Sequence, residues 1–315
     1  MTEATPTVSI LVISYNTRDM TLECLRSVVT ETTVPYELIV LDNQSSDGSA
    51  DAIAAEFPNV VLLSADENHG FAKGNNIAAE HAHGDYLLLL NPDTVILDRA
   101  IDRLVEFATR VPQARIWGGK TLYGDGSLNP GSCWRRMTLW NIFCRTTGLT
   151  GIFSQSATFN SEAYGGWDRN TERPVDIVCG CFLLIKREDW HALGGFDPHF
   201  FMYGEEADLC LRAIRTLGAA PRVSPEATIV HYGGASEKVR SDKMVRLLSA
   251  KTELIKRHIR WPYRPVARML FRYWPLTRKV ASVLRSRSGE NARVWAEIWD
   301  RRGEWQNGYR QSGKA

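Results

Sequence analysis

At 315 residues and 44% hydrophobic composition, the chain can bury a sizeable core as one large α/β domain or two smaller ones, which excludes disorder as its main state. A formal net charge of +2 gives no global case for nucleic-acid binding. The six cysteines (Cys24, Cys133, Cys144, Cys179, Cys181, Cys210) include no CxxC pair and no matched Cys/His spacing, which argues against structural zinc and for reduced thiols.

Residues 1–8 are polar and carry no apolar signal-like stretch, and no apolar run is long enough to span a bilayer. The expected location is the cytoplasm, or the inner face of the membrane as a peripheral protein. Residues 8–14 form a nearly continuous aliphatic and β-branched run, the pattern of a strand buried on both faces of a parallel sheet. Leu22, Leu25, Val28 and Val29 then recur at helical spacing, and residues 37–41 read as a second buried strand that stops at Asp42. A short helix over 49–57, a strand over 60–63, a helix over 72–81 and a strand over 86–90 ending at Asn91 continue the alternation. Such alternation implies an α/β fold with a mostly parallel central sheet flanked by helices. After an amphipathic helix carrying Ile101, Leu104, Val105 and Ala108, residues 118–167 are irregular and rich in Gly, Trp and Arg. A strand over 175–185, a helix with Ala207, Cys210, Leu211, Ile214 and Leu217 on one face, and a short strand over 227–230 follow.

Open α/β sheets bind ligands beyond the carboxyl ends of their strands, so polar residues there are the first candidates for a site. Ser14-Tyr15-Asn16, Asp42-Asn43 with the following Gln44-Ser45-Ser46-Asp47-Gly48, and Asn91-Pro92-Asp93-Thr94 occupy three such ends. Each is also ordinary turn chemistry, but three in consecutive units weaken that explanation. The turn after the first strand lacks GxGxxG, and no Walker loop occurs, which removes the dinucleotide-binding and P-loop readings. An acid such as Asp93 can instead hold a hard divalent cation that bridges phosphates.

The order SYNT, LDNQSSDGS, ENHGFAKGNN, LLLNPDT and GGFDPHFFMYGEEADLCLR resembles glycosyltransferase family 2, and within it the rhamnosyltransferase-like members, over residues 8–256. The resemblance implies the GT-A fold and transfer of a sugar from a nucleoside diphosphate, with inversion, supported by Mg²⁺ or Mn²⁺. Carried over by residue, it puts Tyr15 and Asp42 on the base and ribose, with Ser14, Asn16 and Asn43 in the supporting turns. The segment from Asn68 to Asn76, with Gly70, Phe71, Lys73, Gly74 and Asn75, closes over the nucleotide, Lys73 being open to two readings, a diphosphate contact or a solvated helix lysine. Asp93 takes the place of the metal-binding acid of the family's DxD motif, Asn91 stands where many relatives carry the first Asp, and His231 shares the metal. Glu206 occupies the base position, where the family usually has Asp; Glu205 is the nearby alternative and Asp208 the third acid of the run. Gly180 and Asp197 fall on the acceptor side. L-rhamnose from dTDP-rhamnose is the leading donor, and a glycan or lipid-linked glycan of the cell surface the acceptor.

The composition changes near Arg257, dividing a catalytic domain over residues 7–257 from a basic, aromatic, helical extension over 258–315. Between residues 251 and 287, Lys and Arg interleave with Trp261, Tyr263, Met269, Leu270, Phe271, Tyr273 and Trp274, a mixture suited to an anionic membrane surface. A solvated face or a protein contact is the plainer reading, and Pro262, Pro265 and Pro275 are expected to break any long helix. No recognisable nucleic-acid module accompanies the basic run. Two other function classes remain to be weighed: a sugar nucleotidyltransferase, which would show a glycine-rich basic N-terminal loop, and a non-catalytic nucleotide-sugar-binding protein, against which Asp93 and Glu206 argue.

Overall fold

The computed structural model of the chain describes residues 6–233, 240–285 and 290–309. The first five residues of the polar N-terminal segment, Gly234 of the motif around His231, and Ser286 and Arg287 at the end of the basic run lie outside the described residues. In chain order the elements are β1 (Val8–Ser14), α1 (Arg18–Glu31), β2 (Tyr36–Asp42), α2 (Ser49–Glu56), β3 (Val61–Ser64), α3 (Gly70–Glu80), β4 (Tyr86–Leu90), β5 (Thr94–Ile96), α4 (Ala100–Arg110) and β6 (Ile116–Leu122). There follow β7 (Leu128–Asn129), β8 (Cys133–Trp134), α5 (Leu139–Thr147), α6 (Leu149–Ile152), β9 (Arg173–Pro174), β10 (Ile177–Val178), β11 (Phe182–Lys186) and α7 (Arg187–Leu193). The chain ends with α8 (Glu205–Leu217), β12 (Arg222–His231), α9 (Arg240–His258), α10 (Tyr263–Arg285), α11 (Glu290–Asp300) and α12 (Arg302–Trp305).

All seven residues of β1 are buried because the strand is sandwiched in every direction. It pairs in parallel with β2 and β4. Val8, Ile10 and Val12 pack with Leu22, Leu25 and Val28 of α1, while Gly74 of α3 lets the opposite helix come close to Ile13 and Leu41. The main sheet runs β3-β2-β1-β4-β11-β6-β12-β5, with β7 beside β6 and β9 beside β12; β8 and β10 form a separate ribbon. The first half, β3 to β4, is parallel, whereas β11 runs antiparallel to both β4 and β6. The central sheet flanked by helices that the sequence implies is therefore present, with a mixed second half.

Contacts divide the chain into two compact units, Met1–Trp134 with Asp168–Phe201 and Glu205–Ser236, and Arg135–Trp167 with Met202–Gly204 and Glu237–Ala315. The core of the second unit gathers Ile142 of α5, Val245, Leu248 and Ile255 of α9, Phe271 and Trp274 of α10, Ile298 of α11 and Trp305 of α12.

Four expectations need correction. The stretch over 118–167 is ordered: it contains most of β6, then β7, β8, α5 and α6, and α5 buries Ile142 against helices far along the chain, a partnership no local pattern reveals. The strand expected over 175–185 is two, β10 and β11, in different sheets and separated at Cys179-Gly180-Cys181. The last strand is longer than expected, Arg222–His231, with a register shift between Ser224 and Thr228. Helix α10 runs through Pro275. Pro265 lies in its first turn, where a missing N–H costs little, and near the bond lost at Pro275 the Leu270 carbonyl accepts from Thr146 Oγ1 at 3.1 Å.

Candidate active site

Three strand ends meet at one edge of the sheet, because Ser14 pairs with Asp42 and Val12 with Leu90. Asn16 adopts a left-handed conformation (φ 51°) and ties the first two ends together. Its N–H donates to Ser45 Oγ at 2.9 Å, and its Oδ1 accepts from Ser46 N at 2.8 Å. Ser14 is buried, its hydroxyl 3.0 Å from Thr21 Oγ1, so it supports the turn from within. Tyr15 projects from the same turn and is exposed. Asp42 is buried; Oδ2 accepts from Ser45 N at 3.0 Å, while Oδ1 has no partner in the protein. A buried carboxylate oxygen without a partner costs free energy unless a ligand supplies a donor, and a ribose hydroxyl or base N–H fits.

The loop over Asn68, His69 and Gly70 hangs on Asn43. Its Nδ2 donates to Asn68 Oδ1 (3.0 Å) and Gly70 O (3.2 Å), and its Oδ1 accepts from His69 N (2.8 Å). Asn68 Oδ1 also accepts from Gly70 N. Gly70 has φ +73°, and a Cβ there would stand 2.4 Å from Phe201 O, so only glycine fits; the next amide, Phe71 N, donates to that carbonyl. Asn75 is buried and bonds the Phe71 carbonyl one turn back. Lys73 is half exposed and lies 3.4 Å from Glu67. Gly74 serves helix-to-sheet packing.

At the third strand end, Asp93 is 7% exposed. Its Oδ1 lies 3.3 Å from His231 Nε2 and its Oδ2 accepts from Gly233 N at 3.0 Å. Burial by itself would raise the Asp93 carboxyl, but His231 and the backbone amides outweigh it and hold the group below the ordinary carboxylate range. Asn91 Nδ2 is 3.4 Å from the same ring nitrogen, and Asn91 Oδ1 is buried without a partner. Among the described residues no group of three or more His, Cys, Asp or Glu is arranged to hold a metal. A carboxylate and an imidazole with open positions nevertheless suit a divalent cation that takes its remaining ligands from phosphate oxygens and water.

Glu205 and Glu206 open α8 and are both buried. Burial, then the charge of Glu206 and the hydrogen bond between the two side chains, push the Glu205 carboxyl well above its ordinary range. Glu205 Oε2 has no partner. Gly180 joins this pair to Phe71: a Cβ on it would lie 3.3 Å from Phe71 Cε1 and 3.6 Å from Glu206 Cβ. Cys179 feels the charges of both Glu206 and His231, and Cys181 those of both Asp93 and Glu206, so the Asp93–His231 pair and the acid pair face the same short segment.

The structure thus assembles Asp42, Asn91, Asp93, His231, Phe71, Gly180, Glu205 and Glu206 along one side of the sheet. Asp208 is committed elsewhere: Arg212 Nε donates to it at 2.7 Å, and the same guanidinium holds the carbonyls of Leu193 and Gly195. Asp197 Oδ1 caps its own turn at His199 N. Sequence reasoning passed over Arg212 and saw in Asn76 only the end of the nucleotide-closing segment; together they fix that turn. Asn76 bonds Phe196 in both directions, at 2.8 and 2.9 Å. The i, i+4 spacing of Asp208 and Arg212 was the available signal.

The sequence model for glycosyl transferase family 2 matches residues 9–193. The chain belongs to glycosyl transferase family 2. An N-acetylglucosaminyl-diphospho-decaprenol L-rhamnosyltransferase of Mycobacterium tuberculosis is 29% identical over 246 residues, 74% of this chain and 77% of that protein. The rhamnosyltransferase WbbL of Escherichia coli K12 is 27% identical, covering 71% and 83%. Among solved structures, the Pyrobaculum calidifontis mannosyltransferase PcManGT, in complex with GDP-Man and Mn²⁺, superposes with a TM-score of 0.57 at 17% identity, over 96% of this chain and 86% of that one. Residues 1–349 of Staphylococcus aureus TarS superpose with a TM-score of 0.51 at 14% identity, over 93% and 78%. At these identities the superpositions speak to the fold, which is GT-A. The partnerless oxygens of Asp42 and Asn91 lie at the carboxyl ends of β2 and β4, where open α/β sheets bind ligands.

Proposed function

We propose that the chain is an inverting glycosyltransferase that moves a deoxyhexose, L-rhamnose from dTDP-rhamnose being the first candidate, to a glycan or lipid-linked glycan in cell-surface polysaccharide synthesis. Support for the sugar and acceptor comes from the activities named for the two rhamnosyltransferase relatives. The observation that carries the mechanism is the seat of Gly180 between the Phe71 ring and Glu206, which sets a carboxylate directly beside the loop of the donor side.

In this reading Asp42 Oδ1 accepts from the nucleoside and Asn91 Oδ1 takes a further polar contact near the phosphates. Glu206, ionised while Glu205 retains the shared proton, removes the proton from the acceptor hydroxyl as its oxygen attacks the anomeric carbon opposite the leaving diphosphate. One carboxylate suffices for inversion, and no covalent intermediate is needed. Asp93 and His231 would hold Mg²⁺ or Mn²⁺, whose chemistry is to stabilise negative charge on the departing diphosphate. The neutral Glu205 limits repulsion at the head of α8, where the helix dipole favours a single anion.

The test is incubation of the protein with Mn²⁺ or Mg²⁺ and a panel of UDP-, dTDP- and GDP-sugars, with and without a lipid-diphosphate sugar acceptor, reading nucleoside diphosphate release and the anomeric configuration of the product. Transfer from dTDP-rhamnose with inverted configuration is expected. Retention of configuration would remove the single-base mechanism, and exclusive use of another donor would remove rhamnose.

A further inference from the structure

Helix α10 buries only part of its circumference. Ala267, Phe271 and Trp274 face the core of the second unit. On another side Val266, Met269, Tyr273, Val280, Val283 and Leu284 are exposed, Leu284 by 82%. These positions recur at helical spacing and form one apolar stripe along the helix. Arg268 and Arg272, both exposed, flank the stripe. No Asp or Glu occurs anywhere in Tyr263–Arg285, against Arg264, Arg268, Arg272, Arg278, Lys279 and Arg285. Just ahead of the helix Trp261 is 74% exposed. Helix α5, tied to α10 by the bond from Thr277 Oγ1 to the Thr146 carbonyl at 2.8 Å, adds the exposed rings of Trp140 and Phe143.

A second apolar face on a helix that already has a buried one needs an occupant. Among the described residues no helix is long and apolar enough to cross a membrane, so the stripe is not part of a span. A second copy of the chain packed in parallel would bring Arg268 and Arg272 against their own equivalents, which disfavours that occupant. Exposed aliphatic and aromatic side chains flanked by Arg268 and Arg272 complement an anionic lipid surface, with guanidinium groups at the phosphates and apolar side chains at the acyl boundary; an acid beside this helix, Asp300 of α11, pairs with Lys279 at 3.9 Å.

We propose that α10 is an in-plane membrane anchor that docks the second unit on an anionic bilayer through Met269, Tyr273, Val280 and Leu284, with Arg268 and Arg272 on the headgroups. Its test reads binding and is independent of sugar transfer. The full chain is sedimented with vesicles of phosphatidylcholine alone or mixed with phosphatidylglycerol, at low and high salt. Binding to the anionic vesicles, falling as salt rises, is expected. Each arginine near an anionic surface contributes about fivefold in affinity, so Arg268→Glu with Arg272→Glu should weaken binding by at least ~tenfold. Met269→Glu with Leu284→Glu should do the same while circular dichroism stays unchanged. Equal binding to neutral vesicles, no binding to either, or indifference to the arginine reversals overturns the proposal. So does a concentration-dependent dimer in light scattering that Met269→Glu abolishes, which would make the stripe a contact between copies.

Discussion

Asp93 Oδ1 and His231 Nε2 stand 3.3 Å apart because the antiparallel pairing of β5 with β12 sets Thr94 opposite His231. If the two hold a cation together, removing either should weaken both metal dependence and turnover. Stabilisation by a catalytic cation is worth several kcal/mol, so Asp93→Ala should cut kcat on the order of hundredfold or more. His231→Ala should raise the Mn²⁺ concentration for half-maximal activity while leaving nucleotide binding in place. Titration of activity against Mn²⁺ checks both, and unchanged metal dependence in both variants would dismiss the pair as the metal site.

Glu206→Gln should lower kcat by about 10²–10⁴-fold, the range for loss of a general base, with little change in donor affinity measured by calorimetry. Glu205→Gln should be milder in turnover, since Glu205 is not the proposed base and a neutral amide resembles the carboxyl that burial favours there.

Glu205 also makes stability depend on pH. Its folded-state pKa is raised above the ordinary 4.5, so its contribution to stability is fully present below that value and is lost as pH rises through the folded value. Glu205→Gln should therefore flatten the fall in Tm on the alkaline side. Identical slopes for variant and parent would mean that Glu205 is ionised in the folded protein.

Asp42→Ala removes an acceptor that has one oxygen engaged with Ser45 and one without a partner. A hydrogen bond to a charged group is worth about 1.5–3 kcal/mol, so nucleoside diphosphate affinity should fall about ten- to hundredfold. Calorimetry with dTDP and UDP reads the effect. An unchanged Kd would show that Asp42 serves the Ser45 turn alone.

In the second unit, Glu162 is buried between Arg145, at 2.8 Å, and Lys251. Burial opposes ionisation, but the two cations prevail and bring its pKa from 4.5 down to about 2. Its stabilisation is thus present above pH 4.5 and is lost as pH falls toward 2. Glu162→Gln leaves both cations without that carboxylate and should cost about 3–5 kcal/mol at neutral pH, read by thermal or denaturant unfolding. A variant with parental Tm at neutral pH and parental acid sensitivity would contradict this.

The parallel half of the sheet was legible because a strand buried on both faces writes its length as an unbroken apolar run: Val8–Ser14 and Tyr86–Leu90 are such runs, and each is followed at once by polar residues. The candidate residues at those ends came from the same reading. His231 and Glu206 came from the family's motifs, since only the register of β12 brings the first to Asp93 and only the close seat of Gly180 brings the second to Phe71. Asp208 looked like a member of the acidic run, yet its Arg212 partner lay one turn on. Helix α5 was obscured because its buried Ile142 answers to α9 and α10, far along the chain. Pro275 misled for a related reason: a carbonyl beside the lost bond finds its donor in Thr146, from a different helix.

A Cβ at Gly180 would be 3.3 Å from one neighbour and 3.6 Å from the other, so the bare α-carbon acts as the shared wall of two compartments. A Cβ there would crowd the Phe71 ring while meeting Glu206 Cβ at ordinary contact distance. If Glu206 is the base and Phe71 lines the donor's seat, as proposed, a larger residue at Gly180 would narrow that seat before it disturbed the base. Adaptation to a bulkier donor would have to come through Phe71, whose ring can swing on its own rotamer, and adaptation to a different acceptor through residues beyond Glu206.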